Sequence, residues 1–164
     1  MHTLCSYVIG LHTAVPEVNI EMSNITIPEP DPEVEICFTL STGITEEVVI
    51  NAETGAKSGA TNQAIGIYTL ISYHSGGHLR TIYAQIFSTL AAGSDYETTT
   101  LMLTFEPSGG GQRVCGTVPI INDQLGNEPD ELFSVTITSI SNPNIMIGPD
   151  VETCVSIIDA DGMC

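Results

Sequence analysis

Alternating apolar and polar positions recur along most of the chain, with the two-residue period that is typical of half-buried β-strands. In residues 34–40, the side chains of Val34, Ile36, Phe38 and Leu40 share one face. Similar patterns predict seven strands, over residues 18–27, 34–40, 47–51, 100–105, 112–121, 132–139 and 151–158. Residues that favour turns separate them, including the proline-rich stretch 28–32 and the three glycines at 109–111. Seven short strands joined by such turns predict an all-β fold, an antiparallel β-sandwich.

The segment 57–90 departs from this pattern. It contains no Asp or Glu, yet it holds two of the three basic residues of the chain. Its residues 68–90 suit either a helix broken by a double glycine or irregular chain, and His74 and His78 have the spacing of metal ligands on a helix. The double glycine between them disfavours that helix, so we do not interpret the pair as a metal site. We predict an insertion at 57–90 in a single domain over 17–162, preceded by an N-terminal extension, 1–16.

Composition excludes several classes of partner. The chain has 20 acidic and three basic residues, which gives a net charge of −17. Nucleic acids and anionic membranes both require Lys and Arg, so neither is an expected partner. No stretch approaches the roughly 20 apolar residues of a membrane-spanning helix, and we expect no direct membrane insertion by this segment. The negative net charge favours cations as binding partners.

The acidic residues follow particular strands. If consecutive strands are antiparallel, the first, third, fifth and seventh end at the same pole of the sandwich, and most acidic loop residues follow these four ends. Like charges a few Å apart repel by roughly 1 kcal/mol per pair even in water. Ca²⁺, which takes six to eight oxygen ligands, would remove that repulsion. From this topology alone, a calcium site and a solvated acidic surface both remain open.

Several segments resemble the Calx-beta domain family. Residues 118–123 through 130–137 resemble its most diagnostic stretch, and residues 155–161 resemble its terminal strand and acidic cap. Residues 92–97 with 103–109 resemble the middle of the domain, and 27–29 with 34–40 its opening. The resemblance implies an immunoglobulin-like antiparallel sandwich of about seven strands that binds calcium and is not an enzyme.

The resemblance also implies a ligand set for Ca²⁺. The matching positions are Glu29, Asp123, Leu125 through its carbonyl, Glu128, Glu131, Asp159 and Asp161. Asn122, Thr54 and Ala160 stand where the family usually has aspartate, so we expect weak affinity and few ions. We interpret Asp95, in a Gly-Ser-Asp-Tyr sequence, as a turn-stabilising residue.

The family occurs in several settings. The one we favour is a module of a cell-surface or matrix protein, with neighbouring modules or other proteins as partners and with calcium rigidifying one pole. The alternatives are a regulatory calcium sensor on the cytoplasmic face of a membrane transporter, as in sodium–calcium exchangers, and a structural repeat that has lost calcium binding.

Two features bear on the compartment. Cys37 and Cys115 lie on neighbouring strands in an immunoglobulin-like order and are placed to form a disulfide, with free thiols as the open alternative. The sequence Asn24-Ile25-Thr26 permits N-glycosylation if the chain is secreted.

Deleting residues 57–90 tests the predicted insertion. Long loop insertions change the free energy of folding little, so the shortened chain should fold with equal or higher stability. Thermal unfolding of both chains measures this. A cooperative transition at a much lower temperature in the shortened chain would show that the segment belongs to the core.

Overall fold

The computed structural model describes residues 14–58, 66–68, 72–75, 78–81, 95–125 and 128–159. Within these ranges every regular element is a β-strand. The strands are β1 (Glu17–Ile20), β2 (Asn24–Pro28), β3 (Glu33–Leu40), β4 (Val48–Ala56), β5 (Gly66–Tyr68), β6 (Ser72–Ser75), β7 (His78–Thr81), β8 (Tyr96–Thr98), β9 (Thr100–Phe105), β10 (Gln112–Pro119), β11 (Glu131–Ile140), β12 (Met146–Ile147) and β13 (Glu152–Ile158).

Two sheets form the sandwich. One has four strands in the order β10-β3-β1-β12, and the other has five in the order β2-β13-β11-β4-β9. Neighbouring strands in these sheets are antiparallel, except that β1 pairs with β12, and β2 with β13, in parallel. The predicted fold class, an all-β immunoglobulin-like sandwich, is confirmed. In the part of the chain that the structure describes, no helix has the length and hydropathy of a membrane span.

The first predicted strand, 18–27, is wrong as a single element. It is two strands, β1 and β2, which belong to different sheets and are separated by residues 21–23. The apolar alternation changes phase at this break, because Val18 and Ile20 point inward before it and Ile25 and Ile27 after it. A strand that kept one phase would have placed one of these pairs in solvent.

The inward positions of both sheets build one core. Its largest fully buried side chains are those of Phe38, Phe105 and Phe133, one from the four-stranded sheet and two from the other. The aromatic ring of Tyr96 stacks on that of Phe133 with centroids 4.1 Å apart. The Tyr96 side chain is 3 % exposed, so the short strand β8 is anchored on the core.

Three described strands fall inside the segment 57–90. Strand β5 pairs in parallel with β8, and β6 pairs with β7 as an antiparallel hairpin in which Ser75 lies opposite His78. The helix considered for residues 68–90 is therefore wrong for 72–75 and 78–81. His74 and His78 lie on two different strands and do not have helical spacing. The insertion itself remains a prediction.

Cys37 and Cys115 lie directly opposite each other on β3 and β10 and form a disulfide across 78 residues of sequence. The predicted pairing is confirmed. Cys37 is buried, at 8 % exposed, and lies outside the hydrophobic core cluster. Cys154 belongs to the other sheet and is a free thiol.

Thr153 gives a prediction about the core. Its side chain is fully buried in β13, and its hydroxyl has no hydrogen-bond partner among the described residues. Thr153→Val keeps the shape and removes the desolvated hydroxyl. We expect it to stabilise the protein by about 1 kcal/mol, which corresponds to roughly 2–4 °C in melting temperature for a domain of this size.

The matched control is Thr117→Val, at an exposed position of β10. It should change the free energy of unfolding by less than about 0.5 kcal/mol, as most surface substitutions do. Denaturant unfolding of both variants gives the comparison. A destabilised Thr153→Val variant would mean that the hydroxyl has a partner in solution.

Candidate metal centre

Acidic side chains from four separate parts of the chain meet at one pole of the sandwich. Glu29 directly follows β2, Asp123 follows β10, and Asp159 directly follows β13. Glu128 and Glu131 lie where the chain enters β11. Strands β2, β10 and β13 end at this pole and β11 begins there, so residues up to 130 positions apart become neighbours.

Asp95 also belongs to this group. Its backbone carbonyl accepts a hydrogen bond from the Ile121 amide at 2.9 Å, and the next residue, Tyr96, stacks on Phe133 in the core. These two contacts hold Asp95, which is 3 % exposed, at the pole. The structure places Asp95 in the acidic cluster, and its interpretation as a turn-stabilising residue stays a prediction. The buried aromatic residue beside the aspartate was the signal that could have indicated this placement.

Three carboxylates form the centre of the cluster. Asp95, Asp123 and Glu128 each offer a carboxylate oxygen, and these oxygens all lie within 4.8 Å of one another. Sulfur and imidazole groups are absent from this set, so its chemistry is that of hard cations such as Ca²⁺. The donor set therefore fits calcium.

Main-chain amides hold the carboxylates in place. The amide of Asp123 donates to Glu29 Oε1 at 3.0 Å, and the amide of Glu128 donates to Asp159 Oδ2 at 2.9 Å. The amide of Leu125 donates to Asp123 Oδ1 at 2.9 Å. Each bond joins a carboxylate to the backbone of a loop that carries another acidic residue. The loop after β10 is thus tied to the ends of β2 and β13.

The same loop has an unusual backbone conformation. Gln124 has a φ of 60°, in the left-handed region that non-glycine residues seldom adopt. Its amide donates to Asn122 Oδ1 at 2.9 Å. The side-chain oxygens of Asn122 and Asp123 thus accept hydrogen bonds from two successive backbone amides, and these bonds support the turn that follows β10.

Burial and mutual repulsion raise the pKa of two glutamates. The pKa of Glu131 rises from 4.5 to about 8, first because of burial and then because Glu131 shares a hydrogen bond with the Asp95 carboxylate and faces the charges of Asp95, Glu128 and Asp123. Burial also raises the pKa of Glu128, and the charges of Asp123, Asp95 and Asp159 add to the effect. Both shifts show that negative charge at this pole is destabilised, which a bound cation would reverse.

The remaining predicted site residues are placed differently. The backbone amide of Leu125 donates a hydrogen bond to the Asp123 carboxylate, and Leu125 is 41 % exposed. Asp161 lies outside the described residues. The Thr54 hydroxyl oxygen accepts a hydrogen bond from the Thr99 amide at 2.8 Å, and Glu53 beside it is exposed.

Residues 83–161 match the family profile of the Calx-beta domain. The resemblance to the Calx-beta family is confirmed. The match begins inside segment 57–90 and contains Asp95 together with the cluster residues from Asp123 to Asp159. No curated protein sequence matches the chain.

Solved structures support the same fold. The apo form of the Calx CBD1 domain aligns with a TM-score of 0.59 and 17 % identity, covering 90 % of this chain and all of that domain. The calcium-binding domain CBD12 of CALX1.1 aligns with a TM-score of 0.57 and 20 % identity, covering 88 % of this chain and 46 % of that one. A two-domain protein of unknown function from Bacteroides fragilis aligns with a TM-score of 0.54 and 9 % identity, covering 89 % of this chain and 46 % of that one. The chain thus spans about half the length of the CBD12 and Bacteroides structures.

The raised pKa of Glu131 predicts how stability depends on pH without metal. Between pH 4.5 and about 8 the folded protein holds a proton on Glu131 that the unfolded chain releases. Its stabilising contribution is therefore complete below pH 4.5 and is lost as the pH rises through about 8. The melting temperature of the metal-free protein should fall across this range, and Glu131→Gln should flatten the fall.

Glu46→Gln is the control, since Glu46 is exposed and lies outside the acidic cluster. This variant should keep the pH dependence of the parent. Melting curves recorded in a chelator at several pH values test both variants. A parent protein whose melting temperature rises from pH 5 to pH 8 would contradict the assignment to Glu131.

Proposed function

We propose that this chain is a non-enzymatic calcium-binding module of a larger protein. One observation carries the proposal: the carboxylate oxygens of Asp95, Asp123 and Glu128 lie within 4.8 Å of one another at the pole where the strand ends converge. Such a group of charges is unfavourable without a cation. The residues proposed to hold Ca²⁺ are Glu29, Asp95, Asp123, Leu125 through its carbonyl, Glu128, Glu131, Asp159 and Asp161.

The bound ion would supply positive charge to the pole. The raised pKa values of Glu128 and Glu131 would then fall, because the cation favours their charged forms. The loop between β10 and β11, which carries Asp123 and Glu128, would be fixed against the ends of β2 and β13. Rigidity at this pole suits a module that contacts its neighbour in the same chain.

The disulfide supports an extracellular or cell-surface setting, because disulfides persist in oxidising compartments and are rare in the cytosol. The second candidate is a regulatory calcium sensor on the cytoplasmic face of a membrane transporter. The structural likeness to a calcium-binding domain of CALX1.1 favours that reading. Peptide mapping of non-reduced protein from its natural source separates them, since a sensor in the cytosol would have reduced Cys37 and Cys115.

Calcium should raise the melting temperature. The missing aspartates at three family positions suggest a Kd of about 10⁻⁴–10⁻³ M, as in extracellular calcium modules. At free calcium about fifteen-fold above Kd, binding stabilises the folded state by roughly 1.6 kcal/mol. For a domain of this size that is a rise of about 3–7 °C, measured by thermal unfolding with and without calcium. Mg²⁺ should do much less, because it requires tighter octahedral geometry.

Isosteric variants locate the site. Asp123→Asn and Asp159→Asn keep a side-chain oxygen for the amides of Leu125 and Glu128, so the apo fold should survive while the calcium response is lost. Asp95→Asn should behave in the same way. The matched control is Asp150→Asn, at an exposed position before β13, which should leave the response unchanged. A melting curve unmoved by millimolar calcium, or a shift that survives all three pole variants, would exclude this site and leave a structural module.

A further inference from the structure

Strand β2 forms one edge of the five-stranded sheet. Its partner among the described strands is β13, with which it pairs in parallel from Asn24 to Pro28. An open strand edge offers unpaired main-chain groups to other chains, and proteins generally cover or interrupt such edges.

The outer face of β2 carries the tripeptide Asn24-Ile25-Thr26. Asn24 and Thr26 are exposed, whereas Ile25 is half-buried and Ile27 is buried, so the asparagine and the hydroxyl that defines the tripeptide both face solvent. The Asn24 side-chain amide donates a hydrogen bond of 3.3 Å to the hydroxyl of Ser23, which is exposed as well. A bulky group on the Asn24 amide nitrogen would therefore extend into solvent without displacing the core.

The disulfide between Cys37 and Cys115 provides an independent argument about compartment. It indicates that the chain folds where thiols are oxidised, and in the secretory pathway that is also where asparagines in this tripeptide are glycosylated. The whole sequence contains a single Asn-x-Ser/Thr tripeptide without proline at its centre. N-glycosylation of this sequence would therefore occur at one position, Asn24.

We propose that Asn24 is an N-glycosylation site and that its glycan covers the β2 edge. The Asn24 amide nitrogen forms a bond to C1 of an oligosaccharide and loses one proton. The bond between that C1 and the pyrophosphate of a lipid-linked donor breaks, and the lipid pyrophosphate leaves. Because Asn24 pairs with Cys154 on β13, the glycan also shields the free thiol from other chains.

The test uses the full chain behind a cleavable signal peptide in cultured animal cells. Signal-cleaved chains, retained or secreted, should show a single mass shift that an N-glycosidase removes. Asn24→Gln and Thr26→Val should abolish the shift, and Thr26→Ser should keep it because the hydroxyl remains. The matched control is Asn144→Gln, an exposed asparagine outside any such tripeptide, which should leave the shift intact.

Signal-cleaved protein that contains the Cys37–Cys115 disulfide and no glycan would overturn the proposal. Shielding is measured separately, by peptide mapping of Cys154 labelling with a maleimide before and after glycosidase treatment. Removal of the glycan should speed labelling several-fold, and an unchanged rate would contradict the shielding. Neither result depends on calcium. The calcium site is tested separately, by the melting curves with and without calcium.

Discussion

Repulsion between carboxylates at one pole is the constraint on which the rest of the site depends. Asp123 and Glu128 lie on the connection between β10 and β11, and Asp95 directly precedes β8. Hydrogen bonds to main-chain amides hold the acidic loops against one another. The pKa of Glu131, raised to about 8 by burial and by the neighbouring carboxylates, favours a proton on this side chain at neutral pH in the absence of a cation. A cation bound at this pole would therefore compete with the proton on Glu131.

Two stabilising features of the sandwich lie away from the acidic loops. The fully buried Phe38, Phe105 and Phe133 pack between the sheets, and the disulfide ties β3 to β10 within one sheet. A cross-link that closes a 78-residue loop restricts the unfolded chain, a contribution typically of about 2–4 kcal/mol. Neither contribution requires the acidic loops to be neutral.

Alternation along the chain was enough to predict the fold class, because one buried face per strand forces a period of two. The same alternation did not predict the position at which the chain passes from one sheet to the other, between β1 and β2. The break between β1 and β2 is visible only as a change of phase between Ile20 and Ile25, and the proline-rich turn after Ile27 is a much stronger signal. Asp95 was left out of the predicted ligand set for a related reason. Its place depends on the long-range stacking of Tyr96 on Phe133, and the only local sign of that contact is the aromatic residue next to it.

The anchoring of the cluster members is unequal, and this difference determines how a cation would act. Asp95 directly precedes β8 and Glu131 is the first residue of β11, and Tyr96 and Phe133 on these two strands stack in the core. Asp123 and Glu128 lie on the connection between β10 and β11, where Gln124 has a left-handed backbone. Neutralising the cluster would therefore change the connection more than the strands. A cation bound at this pole would therefore act on one end of the sandwich and leave the packing of its core unchanged.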